Sequence, residues 1–173
     1  MAELTGKTAV VLVENIYNEF EFWYPKYRLQ EAGAKVLVAG PEKGKTYKSK
    51  VGLEAVADVA FADVDPKSVD VLVIPGGYAP DIMRRHKACL DLVRGVDAAG
   101  KLVAFICHAG WVPISAGIVK GRKLTSFSAI KDDLVNAGAI WQDAPVVVDG
   151  NFVTSRVPDD LPEFMAAVIR AAG

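Results

Sequence analysis

Cysteine and histidine are scarce in this 173-residue chain, which has only Cys89, Cys107, His86 and His108. Two cysteines cannot make a disulfide framework, and four such residues spread this way give no recognisable metal-ligand spacing, so no metal or other cofactor is expected. Excess charge is lacking too: 20 Lys plus Arg against 21 Asp plus Glu leave a net charge of −1. Without a basic surplus to drive phosphate-backbone binding, nucleic acid is not expected as the primary partner. Long apolar runs are missing as well, since Ala9 to Val13 and Leu102 to Cys107 are the longest kind present, far short of the roughly 18 residues that span a bilayer. The amino terminus has no basic region, long apolar stretch and small-residue cleavage site of a secretory signal. The expected location is a reducing cytoplasm, away from membranes.

Hydrophobic residues make up 51% of the chain and charged residues 24%, which suits a folded protein with a sizeable core. The length matches about one domain against a prior of roughly 100 to 200 residues, so a single domain over 1–173 is expected. No repeat, low-complexity tract or linker interrupts it.

Helical and β patterns alternate. The β-branched run Lys7-TAVVLV precedes a helix over about Glu19 to Ala32 that stops at Gly33, a common C-terminal stop. Lys35-VLVAG, Asp70-VLVIPGG and Lys101-LVAFI are apolar strands. The last two have no polar face, so they belong in a parallel sheet covered on both sides. Thr46-YKS and Leu53-EAVADVAF suit short strands at a margin. Ile82 to Ala99 carries Cys89, Leu92, Val93 and Val96 at helical spacing and ends at Gly100. The segment Cys107-HAGWVPISAG reads as a helix with Pro113 in its first turns, and Ser128 to Ala137 forms a short one. Pro145-VVVDGNFVTS reads as a hairpin turning at Asp149-Gly150, and Asp159 or Asp160 caps a last helix to Ala172. The expected fold class is α/β: one doubly wound, mostly parallel, flavodoxin-like sheet between helices, with a small β-hairpin appendage.

Ligands of open α/β sheets bind beyond the carboxyl ends of the strands, which singles out three segments: Glu14 to Glu21, Gly76-GYAPD and Cys107-HAG. Cys107 at a strand end leading into a helix sits where the helix amino terminus favours thiolate, lowering its pKa from about 8.5 towards about 6. The plain alternative is a small buried hydrophobe. Ala109 and Gly110 permit the sharp reversal of a nucleophile elbow. Cys89, on the apolar stripe, reads as core. His108 is a proton carrier or a structurally bonded histidine, while His86, among Arg84, Arg85 and Lys87, reads as solvated surface. Glu21, flanked by Phe20, Phe22 and Trp23, is either an exposed first-turn Glu or a buried carboxyl with a raised pKa that donates to a thiolate. Pro25, four residues on, leaves the Glu21 carbonyl without its helical partner and suggests a kink. Gly76 and Gly77 form a plain turn or present an amide to an oxyanion. Asp81 has an N-cap role by default. Gly76, Tyr78 and Trp111 suit a pocket wall, although core packing is as natural for Trp111.

The strings VIPGGYAPD, AFICHAGW, SAGIVKGRKLTS, IKDDLVNAGAIWQD and VVVDGNFVTSRVPDDL resemble the PfpI/ThiJ family, the intracellular-protease and deglycase branch of the class I glutamine-amidotransferase-like superfamily. The likeness covers nearly the whole chain. It implies Cys107 as nucleophile, His108 as the adjacent histidine, Glu21 as the acid touching the cysteine, and the amides of Gly77 and His108 as oxyanion donors. It also implies that Asp81 reaches the histidine from a neighbouring subunit, so that a homo-oligomer, a dimer or larger, completes the site. Ala109-Gly110 stands where the family commonly has Gly-Pro, and Phe127 lies in the region where the parkinsonism-associated branch has a histidine. The implied activity is that of a stress-protective enzyme acting on small reactive aldehydes or glycated adducts, as a glyoxalase or deglycase. The alternatives are an intracellular cysteine peptidase acting on peptides, and a redox sensor or holdase in which Cys107 is oxidised without turnover.

Overall fold

The structure, a computed structural model, describes residues 3–173. Its elements run β1 (Thr8–Leu12), α1 (Glu19–Glu31), β2 (Lys35–Gly40), β3 (Thr46–Lys48), β4 (Glu54–Val56), β5 (Val59–Ala60), β6 (Val71–Ile74), α2 (Ala79–Met83), α3 (Lys87–Ala98), β7 (Leu102–Ile106), α4 (Trp111–Ala116), β8 (Lys123–Leu124), α5 (Lys131–Asn136), β9 (Ile140–Trp141), β10 (Val146–Asp149), β11 (Phe152–Ser155) and α6 (Leu161–Ala172).

Among the described residues, seven strands form the main sheet in the order β10-β11-β7-β6-β1-β2-β5. Every pairing is parallel except β10 with β11. All residues of β6 and β7 are buried, as continuous apolar strands require when both faces are covered. Helix α1 packs on β1 and β2 and beside α6, whereas α3 packs on β7 and beside α4. Each fully buried large side chain, such as Phe105 against Phe152 at 5.6 Å, contributes about 1.5–3 kcal/mol of transfer free energy. The freestanding hairpin is β3–β4, whereas the hairpin over 146–155 is built into the sheet, with β11 parallel to β7. The short parallel pair β8–β9 has no counterpart in the sequence pattern.

The helix expected over Ile82 to Ala99 is two helices. Met83 and Cys89 are both fully buried, yet on one continuous helix they would stand about 120° apart. His86 leaves the helical region, with φ −88° and ψ 110°, and α3 restarts after it. His86 is also not simply solvated, because its Nε2 lies 3.2 Å from Oε2 of the buried Glu14 and its ring packs edge-on against Phe61. Helix α1 runs unbroken through Pro25. Asp160 does occupy the N-cap position of α6, but its carboxylate accepts from the Arg156 guanidinium at 2.9 and 3.3 Å and caps no amide.

Candidate active site

Cys107 follows directly on the buried strand β7 with φ +63°. For a residue with a side chain that conformation costs roughly 1–2 kcal/mol, and it is the strained elbow that aims a strand-end side chain out of the sheet. A short 3-10 turn, Cys107–Gly110, then leads into α4. Space explains the small residue at its end: a Cβ on Gly110 would stand 3.1 Å from Ile130 Cδ1 and 3.3 Å from Leu134 Cδ1. The Phe127 amide donates to the Cys107 carbonyl at 3.2 Å, which draws Phe127 beside the turn.

Glu21 is the buried alternative of the two expected, with no solvent exposure at all. Asn18 and Glu21 have the spacing of a capping box, and the Asn18 side chain does accept from the amides of Phe20 and Glu21 at 3.0 and 3.3 Å. The carboxyl, however, does not turn back to Asn18. The Asn18 amide donates to the Gly76 carbonyl at 3.2 Å, and Glu21 Oε2 accepts from the Gly76 amide at 2.8 Å. Burial pushes Glu21 up from 4.5 to about 7, against the lowering effects of the Gly76 amide, the Cys107 thiol and the Lys50 charge. Gly76 has to be glycine, because a Cβ there would lie 2.5 Å from Glu21 Oε2 and 2.8 Å from Cys107 Cβ.

Cys107 is 8% exposed, and its Sγ lies 3.2 Å from His108 Nδ1. Adjacent side chains diverge in a strand, and the positive φ brings these two together. The backbone amides of Gly77 and His108 act on the sulfur in the sense that favours its ionised form. Gly77 reaches it with φ +79°, pinned between the ends of β1 and β6 by a bridge to Tyr17.

The thiol is nevertheless not the low-pKa group expected at a helix amino terminus. Burial first, and then the negative charge of Glu21, push it up to about 12, and the two amides offset only part of this. The helix meant to lower it is only the six-residue α4, held off by the 3-10 turn. His108 shifts down, through burial and then the Lys50 charge, which keeps the imidazole neutral and able to accept a proton. The resting site is therefore a thiol beside a neutral base, with a carboxyl close to half-protonated at neutral pH.

Above the sulfur lies a cavity of about 420 Å³. Glu21, Cys107, His108, Gly77 and Tyr78 line it as the sequence suggested. Gly76 and Trp111 do not: the Gly76 amide is taken up by Glu21, and the Trp111 indole donates to Asp133 at 2.8 Å while its ring backs His108 at 5.3 Å. Asp81 does not reach the cavity of its own chain either. It lies inside α2, where Tyr78 holds the N-cap position, and its carboxylate pairs with Arg85 at 3.0 Å. Cys89 is fully buried in the core, as expected. Sequence reasoning missed Ile16, Asn18, Lys50, Phe127, Val157 and Pro158 in the lining. The capping-box spacing could have found Asn18. Nothing local marks Ile16, whose φ of +63° turns its carbonyl to accept the amides of Tyr78 and Ala79 at 2.8 and 3.2 Å. The ring of Phe127 packs at 5.0 Å from that of His108.

A sequence model of the DJ-1/PfpI family matches residues 7–171. The chain belongs to the DJ-1/PfpI family. Among DJ-1/PfpI proteins it is similar to one of Pyrococcus horikoshii named deglycase PH1704, 44% identical over 159 residues that make up 92% of this chain and 95% of that one. It is also similar to the Escherichia coli protein/nucleic acid deglycase 2, 38% identical over 170 residues, 97% and 99% of the two chains. In structure it resembles Drosophila melanogaster DJ-1beta, with a TM-score of 0.89 and 34% identity over 95% of this chain and 89% of that chain. The DJ-1 fold thus carries the Cys107 elbow, and no helix among the described residues is long and apolar enough to cross a membrane.

Proposed function

We propose that this DJ-1/PfpI protein is a cysteine-dependent enzyme acting on reactive carbonyls or their glycated adducts, a reading that the relatives named deglycases support for the adducts. The observation that carries this reading is the strained Cys107 elbow, with its sulfur 3.2 Å from an imidazole nitrogen of His108. His108 Nδ1 takes the thiol proton as sulfur bonds to the carbonyl carbon, so no free thiolate need accumulate. The electron pair of the C=O bond moves to oxygen, which the amides of Gly77 and His108 stabilise before it takes the proton from His108 to give the hemithioacetal and leave the imidazole neutral again. For a 2-oxoaldehyde, a proton then passes from the hemithioacetal carbon to the neighbouring carbon by way of His108. Water cleaves the resulting thioester and releases a hydroxy acid, returning the proton to sulfur. Asp81 of a neighbouring subunit orients His108 in this scheme, which explains why one chain by itself leaves that carboxylate on Arg85.

Cys107→Ala should abolish hydroxy-acid formation from methylglyoxal, and Cys89→Ala should not; equal activity in the two variants would defeat the assignment. A second reading, peptide hydrolysis, draws on the apolar wall of Ile16, Tyr78, Phe127, Val157 and Pro158, which suits a side chain. It requires cleavage of an unfolded protein that disappears in Cys107→Ala.

A further inference from the structure

Lys50 stands at the rim of the Cys107 cavity, and the carbonyl chemistry above makes no use of it. Nearby lysines are paired, Lys45 with Glu42 and Lys48 with Glu54. The Lys50 ammonium has no such partner among the described residues. The backbone beneath it is tightly held. Its amide donates to the Tyr17 carbonyl at 3.0 Å, and the buried Ser49 hydroxyl accepts the amides of Val51 and Leu53 at 3.2 and 3.0 Å. Tyr17 bridges Ser49 on one side and Gly77 on the other. Lys50 is thereby tied through Tyr17 to the backbone of Gly77, which also lines the cavity. Its charge also reaches the bottom of the cavity, where it bears on both Glu21 and His108.

Among the described residues Lys50 is the one permanent cation lining the cavity, where it faces Glu21 and His108 across a wall formed by Ile16, Tyr78, Phe127, Val157 and Pro158. The cavity is larger than the simplest substrate needs. A three-carbon dicarbonyl with its two oxygens fills at most about 150 Å³, taking the ~30 Å³ share of a liquid water for each heavy atom, against the about 420 Å³ present. More than half the space remains for another part of the molecule.

We propose that Lys50 is a carboxylate-binding subsite, and that the preferred substrates are carbonyl adducts of small thiols or amines bearing a free carboxylate. The adducted carbon meets Cys107 and the carboxylate meets the Lys50 ammonium. One ammonium neutralises one carboxylate, whereas a phosphate dianion would leave negative charge facing Glu21. This assignment deepens the proposed carbonyl chemistry and rests on it.

The test compares methylglyoxal hemithioacetals of N-acetylcysteine and of N-acetylcysteinamide, which differ only in the carboxylate. A charge-assisted hydrogen bond should favour the acid by about tenfold or more in kcat/KM. That ratio should fall to near unity in Lys50→Met, survive in part in Lys50→Arg, and stay unchanged in Lys45→Met. A wild-type ratio near unity, or one that persists in Lys50→Met, would overturn the subsite. Calorimetry on the Cys107→Ser protein separates the two claims without turnover, using lactate as probe and lactamide as neutral reference. Lactate binding should weaken about tenfold when Lys50→Met is added; lactate binding indifferent to Lys50 overturns the subsite whatever the turnover data show. Lys50-dependent lactate binding with neither hemithioacetal consumed would retain the subsite and reject the carbonyl chemistry.

Discussion

Gly76→Ala puts a methyl group into the most crowded point of the site. The new Cβ would stand 2.5 Å from Glu21 Oε2, 2.8 Å from Cys107 Cβ and 3.0 Å from the Ile106 carbonyl oxygen, where carbon contacts normally settle at about 3.5–4.0 Å. Two of these neighbours cannot retreat, since Ile106 is backbone of the buried strand β7 and Cys107 is held in its strained elbow. Glu21 can move only by giving up the 2.8 Å bond from the Gly76 amide. Overpacking costs about 1–3 kcal/mol, and loss of a hydrogen bond to an acidic group about 1.5–3 kcal/mol. A total of about 3–6 kcal/mol is a large share of the roughly 5–15 kcal/mol that holds a domain folded, and it corresponds to a Tm fall on the order of 10 °C. Urea and thermal unfolding would measure it, with Gly44→Ala as the control. Gly44, unlike Gly76, has a positive φ, +77°, but nothing within 4 Å of a new Cβ, so only the left-handed backbone cost of about 1–2 kcal/mol applies. If Gly76→Ala lost no more stability than Gly44→Ala and kept the native rate of Cys107 alkylation, the steric account of this site would be wrong.

Two further outcomes come from the geometry and a third from the proposed function. Because burial raises Glu21 from 4.5 to about 7, its contribution to stability is complete below about pH 4.5 and is lost as pH rises through 7, a change on the order of 3 kcal/mol. Glu21→Gln should lack this dependence, and urea curves at about pH 5 and 8 that run parallel for the two proteins would refute it. In the native protein iodoacetamide should label Cys107 but not the fully buried Cys89, with a rate still climbing above about pH 9 because the thiol is pushed up to about 12; a plateau near neutrality would show that the thiolate is stabilised after all. Mixing Asp81→Ala chains with Cys107→Ala chains should restore activity that neither possesses, through hybrid sites combining an intact Cys107 with a neighbour's Asp81. Mixtures no more active than the separate variants would remove Asp81 from the mechanism.

Much of the architecture is written in local pattern. The unbroken apolar runs of β6 and β7 announce strands covered on both faces, and the stripe Cys89, Leu92, Val93 and Val96 announces the buried face of α3. The same runs place Cys107 and the paired glycines at neighbouring strand ends, because strand, turn and helix each depend on residues a few positions apart. The break between α2 and α3 escapes such reading, since it answers to Glu14 and Phe61, which lie on other segments.

Ionisation belongs to a different class of property. The sequence around Cys107 suggests a thiolate, yet the sulfur's proton is governed by how much water is excluded and by which charges stand nearby. Apart from the adjacent His108 amide, those charges and dipoles arrive on α1 and on the loop after β6, far from Cys107 along the chain, and the turn holding Lys50 in turn bears on Glu21 and His108. Periodicity and turn chemistry act between neighbours in sequence, so they can be read before folding. Desolvation and Coulomb interaction act between neighbours in space, so the state of the thiol, the burial of Glu21 and the placing of Lys50 exist only once the distant segments have packed together.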